Sequence, residues 1–263
     1  SLYLKHIHDN IADGNEEIYE YLLNWMADAI QNPEKLSGVA LAIRGLQGTG
    51  KGVYVSNFAW LYGCHATKVT NKKQLLGNFN AHLKDCVLLN ADEAFWSGDK
   101  EMVGTLKALI TEKEKIIEHK GLDAITVNNY VRLIITSNED WVVPADVDDR
   151  RFCVIDCGKN CKEDVQYFEA IENEMENGGR GALLQFLLNR DISKVNIRKF
   201  PKTKAAFDNI LQSMDSVQKF VFNLLDESGE DEWRMERNSD KLYDEYREYV
   251  IKELGHFRPV EKA

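Results

Sequence analysis

The run Val39-Ala40-Leu41-Ala42-Ile43-Arg44-Gly45-Leu46-Gln47-Gly48-Thr49-Gly50-Lys51-Gly52 decides how the rest of the chain is read. It opens on apolar residues without alternation, the pattern of a strand buried on both faces of a parallel sheet. The strand empties into a glycine-rich loop that ends in lysine. Gly45, Gly48 and Gly50 let successive backbone N–H groups converge on a phosphate at the start of a helix, where the macrodipole favours an anion, and Lys51 adds a mobile point charge for the outer phosphates. Gly45, Gly50 and Lys51 fit the pattern G-x-x-x-x-G-K-[ST], whereas Gly52 stands where a hydroxyl normally holds Mg²⁺. With Thr49 among them, these residues are the candidate nucleotide contacts. Alone they would also suit an ordinary strand-to-helix turn, so partners elsewhere in the chain must decide.

Cys86-Val87-Leu88-Leu89-Asn90-Ala91-Asp92-Glu93 is a second buried-strand run, ending in two acids about 40 residues after Lys51. A central parallel strand delivers its C-terminal residues to the ligand crevice, so acids there face a bound nucleotide. Asp92 is the candidate Mg²⁺ ligand, directly or through water, and Glu93 the group that orients and polarises the attacking water. The plain alternative is a pair of helix N-cap residues. A third run, Tyr130-Val131-Arg132-Leu133-Ile134-Ile135-Thr136-Ser137-Asn138, ends in an amide that can hydrogen-bond a γ-phosphate and the lytic water, or simply turn the chain. Asp146-Val147-Asp148-Asp149-Arg150-Arg151-Phe152 then leads into a strand at Cys153-Val154-Ile155. Arg150 and Arg151 either close a local salt bridge to Asp148 and Asp149 or act as an arginine finger, a task for which a permanently charged guanidinium fork suits two phosphate oxygens better than lysine. Residues 113–127 alternate imperfectly around a turn and read as a β-hairpin with His119 and Lys120 at its tip. Acids nearly balance bases there, so a DNA-contacting tip and a solvated surface hairpin are equal readings of those residues.

The remaining pattern is helical. Residues 1–16 read as polar and irregular, followed by a helix from Glu16 to about Gln31 whose Ile18, Leu22, Trp25, Met26 and Ile30 make one stripe and which Pro33 ends. Val53 to Tyr62 is the helix the loop caps, and 99–112 is another, with Met102, Leu106, Leu109 and Ile110 inward. Two helices broken at Asn177-Gly178-Gly179-Arg180-Gly181 occupy 165–188. Residues 202–225 and 242–254 are also helical, with Tyr243, Tyr246 and Tyr249 as packing surface on the last, and the chain stops after Arg258-Pro259-Val260 without a closing strand. The expected fold class is α/β, a P-loop NTPase core with a parallel central sheet. The expected organisation is an N-terminal helical segment (1–37), the core (38–160), a helical extension (161–200) and a helical C-terminal region (201–263).

Composition narrows the partners. With 44% hydrophobic and 29% charged residues, the chain has the balance of a soluble globular protein. It holds no apolar run near the roughly 18 residues of a membrane span, so no membrane partner is expected. Five cysteines, an odd number scattered through apolar runs, suit a reducing compartment. Cys153, Cys157 and Cys161 lack a nearby histidine to complete a zinc site. A net charge of −10 argues against a broad nucleic-acid face, but residues 226–253 hold eleven acids against five bases, so the rest is close to neutral and has room for a local basic ring.

The order phosphate loop, Asp-Glu strand, charged hairpin, Ser-Asn strand and twin arginines resembles the superfamily 3 helicase domain of viral and phage replication proteins, a branch of the AAA+ ATPases. Within it the chain looks most like the helicase-like C-terminal half of phage primase-polymerases. The residues that carry the resemblance are Gly48-Thr49-Gly50-Lys51-Gly52, Gly77-Asn78-Phe79-Asn80, Asp92-Glu93-Ala94, Leu106-Lys107-Ala108-Leu109-Ile110-Thr111-Glu112, His119-Lys120-Gly121, Thr136-Ser137-Asn138 and Asp149-Arg150-Arg151-Phe152. Tyr21-Leu22-Leu23-Asn24-Trp25 also resembles the family, and Leu242 to Tyr249 looks like the start of its winged-helix tail.

The resemblance implies ATP and Mg²⁺ as cofactors, single-stranded DNA as partner, and a homo-oligomer, a hexameric ring with nucleotide at the subunit junctions. It further implies an upstream primase-polymerase domain and a phage protein working in the host cytoplasm. By the same analogy Lys51, Asp92, Glu93 and Asn138 act in cis, Arg150 or Arg151 reaches the neighbour's γ-phosphate, and His119 and Lys120 touch DNA phosphate. Gly52 departs from the usual hydroxyl, although glycine looks tolerated there in this branch, with metal held by Asp92 and waters. No primase active site is recognisable, so the chain reads as an excised piece of a longer protein. Two rival functions stand beside this one: a P-loop phosphotransferase acting on a small molecule, and an assembly module of a primase-polymerase with weak or no helicase activity, which Gly52 keeps open.

Overall fold

The structure, a computed structural model, describes residues 1–76, 79–93, 100–143, 149–227, 236 and 238–255. Gly77, Asn78, Ala94, Asp146 to Asp148 and Arg258 to Val260, as well as the Met102 side chain, lie outside the described residues. Two compact units divide the chain, 1–209 and 210–263.

The first unit starts with α1 (Leu2–His6) and a π-helical turn (Ile7–Ile11), continues through α2 (Glu16–Gln31), β1 (Ala40–Arg44), α3 (Lys51–Trp60), β2 (Ala66–Val69) and α4 (Lys72–Leu76), and reaches β3 (Leu88–Asp92). There follow α5 (Lys100–Thr111), the hairpin β4 (Glu114–Ile117) and β5 (Ile125–Asn128), β6 (Arg132–Ser137), β7 (Phe152–Asp156), α6 (Val165–Glu174), a second π-helical turn (Met175–Gly179), α7 (Arg180–Asn189) and α8 (Lys204–Ser213), whose last four residues fall in the second unit. Among the described residues, five strands form one parallel sheet in the order β2-β3-β6-β1-β7. The uninterrupted apolar runs are its middle, since strands covered on both faces need no polar alternation. One face is packed by Leu22, Trp25 and Met26 of α2, Tyr54 and Phe58 of α3, and Leu183 and Leu187 of α7 against Leu41, Ile43, Ile134 and Ile155. On α2 the cap is Asn15, whose Oδ1 accepts from Ile18 N at 3.1 Å.

Three elements depart from the sequence expectation. Residues 1–11 are helical rather than irregular: Tyr3, Ile7 and Ile11 recur every four residues and are fully buried, while Lys5 and Asp9 face solvent. Glu174 stands at the start of α1, with its Oε2 accepting from Leu2 N at 2.6 Å. Ala66–Val69 is an edge strand that its short, half-exposed sequence does not announce. The helical stretch 202–225 is two helices, because Asp215 and Gln218 form a reciprocal capping box that starts α9 (Ser216–Glu227): Gln218 N donates to Asp215 Oδ1 at 2.8 Å and Asp215 N to Gln218 Oε1 at 3.0 Å. In the second unit, α9 and α10 (Ser239–Lys252) pack through Phe220, Tyr246 and Val250.

Arg132 opens β6 with a side chain that is wholly buried. Its guanidinium donates to Asp28 Oδ2 at 2.6 Å and to the carbonyls of Asn32 and Lys35 at 2.9 and 2.8 Å, so one side chain closes the C-terminal end of α2 against the sheet. Removing the carboxylate would leave a buried charge without its counter-ion, a change that costs about 3–5 kcal/mol. Asp28→Ala is expected to lose about that much unfolding free energy in a urea titration followed by tryptophan fluorescence; a loss below about 1 kcal/mol would mean that the carbonyls alone satisfy Arg132.

Candidate functional site

Parallel register decides which residues meet. Arg44 aligns with Ser137 on one side and Asp156 on the other, and Asp92 aligns with Thr136. Pairing continues one step past each strand: Gly45 N donates to Ser137 O at 3.1 Å, Glu93 N to Thr136 O at 2.9 Å and Cys157 N to Arg44 O at 2.8 Å. The sheet therefore delivers the glycine-rich loop, Asn138 and the Asp92-Glu93 pair to one crevice at its C-terminal edge.

Within that crevice Lys51 is buried, and its Nζ donates to Gly45 O at 2.5 Å, Leu46 O at 2.9 Å and Asn138 Oδ1 at 3.0 Å. Burial pushes its ammonium below the usual lysine range, against the opposing pull of Cys157, Glu93 and Asp92. The Asn138 amide in turn donates to Glu93 Oε1, completing a chain from Lys51 to Glu93. Glu93 has φ +49°, a left-handed conformation that costs a side-chain-bearing residue energy and recurs at functional sites. Asp92 Oδ1 accepts from the Thr136 hydroxyl at 2.6 Å, and its Oδ2 meets the Lys68 ammonium at 2.6 Å. Desolvation would raise the Asp92 carboxyl, but the hydrogen bonds from Lys68 and Thr136 prevail and hold it below the ordinary range.

The loop adopts the backbone its glycines permit, with φ +78° at Gly48 and +84° at Gly50, and α3 begins at Lys51. Among the described residues, no protein acceptor takes the N–H groups of Gly48, Gly50 and Lys51. Free donors at a helix start, beside a partly desolvated ammonium, fit a phosphate. Mg²⁺ usually takes one or two carboxylates and completes its shell with water and phosphate oxygens, so Asp92 alone is a sufficient protein contribution. No group of three or more His, Cys, Asp or Glu side chains among the described residues forms a metal cage, and no helix there is long and apolar enough to cross a membrane.

The twin arginines lie elsewhere. Ala40 N donates to Arg151 O at 2.7 Å, and Phe152 aligns with Ala40, so both arginines sit at the N-terminal edge of the sheet. At about 3.3 Å per residue, β1 puts roughly 16 Å between them and the loop of the same chain. Arg151 pairs with Asp149 at 3.4 Å, and Lys107 shares that carboxylate at 3.2 Å, while Arg150 is exposed with no partner among the described residues. His119 and Lys120 occupy the turn between β4 and β5, Lys120 exposed and His119 half-buried. Asn80 fastens the hairpin, its amide donating to Ile116 O at 2.9 Å and its Oδ1 accepting from Glu118 N at 2.8 Å.

Sequence reasoning missed Lys68, which looks like any surface lysine until β2 is paired with β3. It also missed His6 and Asn10, which bond to the back of the loop from the misread first eleven residues; the Tyr3-Ile7-Ile11 spacing was the available signal.

Fold and crevice define an α/β protein with a parallel sheet, and the same architecture occurs in the C-terminal region of the phage NrS-1 protein. Two apo structures of that region match with TM-scores of 0.74 and 0.73 at 22% identity, over 95% of this chain and 62% of theirs. In sequence, the chain is 28% identical over 221 residues to the DNA primase-polymerase of Nitratiruptor phage NrS-1, covering 82% of this chain and 30% of that protein. The resemblance to the C-terminal half of a phage primase-polymerase thus holds, with a chain that spans less than a third of its relative. Residues 43–151 match a family of unknown function, DUF5906.

The two glycines flanking Lys51 should behave oppositely. A Cβ on Gly50 would lie 2.5 Å from His6 and 2.6 Å from Phe168 in a left-handed backbone, whereas one on Gly52 meets nothing within 4 Å. Gly50→Ala is expected to lower the thermal midpoint, losing more than about 1 kcal/mol, and Gly52→Ser to leave it unchanged. Equal midpoints for the two variants in a thermal melt would contradict this loop geometry.

Proposed function

We propose that this chain is the ATP-hydrolysing module of a phage replication protein, a P-loop ATPase of the superfamily 3 helicase class that works as a ring on single-stranded DNA. The observation that carries the reading is the chain from Lys51 through Asn138 to Glu93, set beside Asp92 at the ends of three neighbouring strands. Lys51 and the free N–H groups of Gly48, Gly50 and Lys51 hold the phosphates, and Asn138 senses the outermost one while keeping Glu93 aligned. Glu93, held by the Asn138 amide, orients and polarises the attacking water. Asp92 is the residue that would hold Mg²⁺, which supplies charge neutralisation of the phosphates when bound. Because Arg150 and Arg151 lie at the far edge of the sheet, they act on the nucleotide of a neighbouring copy. His119 and Lys120 contact DNA phosphate from the hairpin turn.

Lys51→Ala should abolish ATP binding, and Glu93→Gln should bind ATP but not turn it over, because the first contacts phosphate and the second only the water. Nucleotide titrations of both, read beside phosphate release, would sink the reading if Lys51→Ala bound like the parent. The trans role has its own test. An Arg150→Ala or Arg151→Ala subunit mixed with a Lys51→Ala subunit forms some junctions with an intact loop facing an intact arginine. An arginine finger is worth about 10³ to 10⁵ in rate, so even a minority of repaired junctions should restore measurable ATPase activity. Inert mixtures in preparations shown to co-assemble would remove the arginines from the mechanism. Lys120→Ala should leave basal ATPase activity nearly unchanged, weaken single-stranded DNA binding and flatten its salt dependence by about one phosphate contact per subunit. Parent-like binding across a salt titration would reduce the hairpin to a solvated feature.

A further inference from the structure

The first eleven residues hold polar side chains that the proposed chemistry does not use. His6 and Asn10 are both 0% exposed, one turn apart where α1 passes into the π-helical turn, a local geometry that often marks functional positions. His6 Nε2 bonds to Gly50 O at 3.1 Å, and its Nδ1 meets the Tyr167 hydroxyl at 3.2 Å. A carbonyl can only accept, so Nε2 carries the proton and Nδ1 accepts from Tyr167. Asn10 Nδ2 donates to Thr49 O, the preceding carbonyl of the loop, and the Cys157 thiol approaches the same oxygen at 3.5 Å. Two consecutive carbonyls of the glycine-rich loop are therefore gripped from one side by one helical turn.

We propose that His6 and Asn10 are positioning residues for nucleotide: by pinning the carbonyls of Thr49 and Gly50 at the back of the loop, they aim the N–H groups of Gly50 and Lys51 at the phosphate. The reason is peptide geometry. In a planar trans peptide the C=O and N–H point in opposite directions, so fixing Thr49 O fixes Gly50 N–H, and fixing Gly50 O fixes Lys51 N–H. Glycine gives this loop its left-handed turn; the Gly50 carbonyl already takes the first α3 bond, from Tyr54 N at 3.1 Å, and His6 adds a second donor to it from behind, whereas the Thr49 carbonyl is held by Asn10 and the Cys157 thiol. Burial supports the arrangement, since it pushes the His6 imidazole below its usual range against the opposing Gly50 bond, while the two hydrogen bonds define the tautomer. Gly50 is the contact point, because a Cβ there would collide with His6 and Phe168. The segment before α2 is on this account part of the nucleotide site, and the inference rests on the phosphate-loop reading above.

The test compares the parent with His6→Leu, which fills the space without a donor, and with His6→Gln, whose amide nitrogen reaches the place of Nε2. Each is titrated with N-methylanthraniloyl-ATP in Mg²⁺ alongside a thermal melt. A lost hydrogen bond of ordinary worth corresponds to about a three- to tenfold change, so His6→Leu should bind the nucleotide weaker by about that factor, and His6→Gln should recover most of it. Parent-like affinity in His6→Leu, or equal loss in Leu and Gln variants, overturns the proposal, because the ring is then only packing. If His6→Leu does not fold, long-range ¹H–¹⁵N spectra of the parent and titration of His6→Gln decide: a proton on Nδ1, or a Gln variant weakened beyond tenfold, overturns it. A parent that binds no labelled nucleotide sinks the phosphate-loop reading itself and this inference with it, an outcome distinct from failure of the His6 variants alone.

Discussion

Strand β1 is hydrogen-bonded along both edges, to β6 and to β7, and Ala40 to Ile43 have no solvent exposure. Burial on both faces fixes the register of β1, which places Arg44, Ser137 and Asp156 side by side. Everything that leaves the sheet at that edge starts from a fixed position. Arg44 strengthens the constraint from within: its buried guanidinium pairs with Asp156, meets Asp208 of α8 at 3.2 Å and donates to Asp140 O at 2.5 Å. One cation thus fastens the exit of β7, the start of α8 and the segment just after Asn138. A buried guanidinium stays charged and must be met by carboxylates wherever it sits, so the grouping specifies position more than it adds stability.

In the structure the polar groups of the crevice satisfy one another. Lys51 spends its three protons on two loop carbonyls and Asn138, Asn138 spends its amide on Glu93, and Asp92 is shared by Thr136 and Lys68. No buried charge there is left without a partner, which is why a partly desolvated lysine can be held at this position. An arriving phosphate would exchange the carbonyl contacts of Lys51 for charge-assisted ones, roughly twice as strong. The N–H groups of Gly48, Gly50 and Lys51 give up no protein partner among the described residues on that exchange, only water.

Much of this was legible in the chain because the central strands are uninterrupted apolar runs and their polar ends are conspicuous. Asn15, Pro33 and the Asn177-Gly178-Gly179 break mark helix limits by side-chain and backbone chemistry that acts locally. Strand order is a different matter. The insertion of β6 between β1 and β3 brings Asn138 into contact with both Lys51 and Glu93, yet pairing between strands leaves no period in the sequence. The edge strand β2 escaped for want of apolar residues, and Lys68 with it. Residues 1–11 escaped because Lys5, His6, His8, Asp9 and Asn10 hide a four-residue apolar spacing, although two of those polar residues face inward onto the loop.

Position also bears on the two readings of the twin arginines. The salt bridge foreseen for Arg151 forms with Asp149, but Asp149 also takes Lys107, so its negative charge is already met and the guanidinium stays 39% exposed. Arg150 is exposed at the opposite edge from the loop. A parallel sheet sends all strand starts to one edge and all strand ends to the other, so a single copy cannot bring these arginines to its own crevice without breaking β1 or β7 from the sheet. On the proposed reading the two edges would complement each other between copies, the loop edge offering donors for an anion and the far edge the two guanidinium groups. Were the proposed assembly to form, every junction would be incomplete in the isolated chain, and hydrolysis would depend on contact between neighbours through the same β1 ladder that aligns the strand ends.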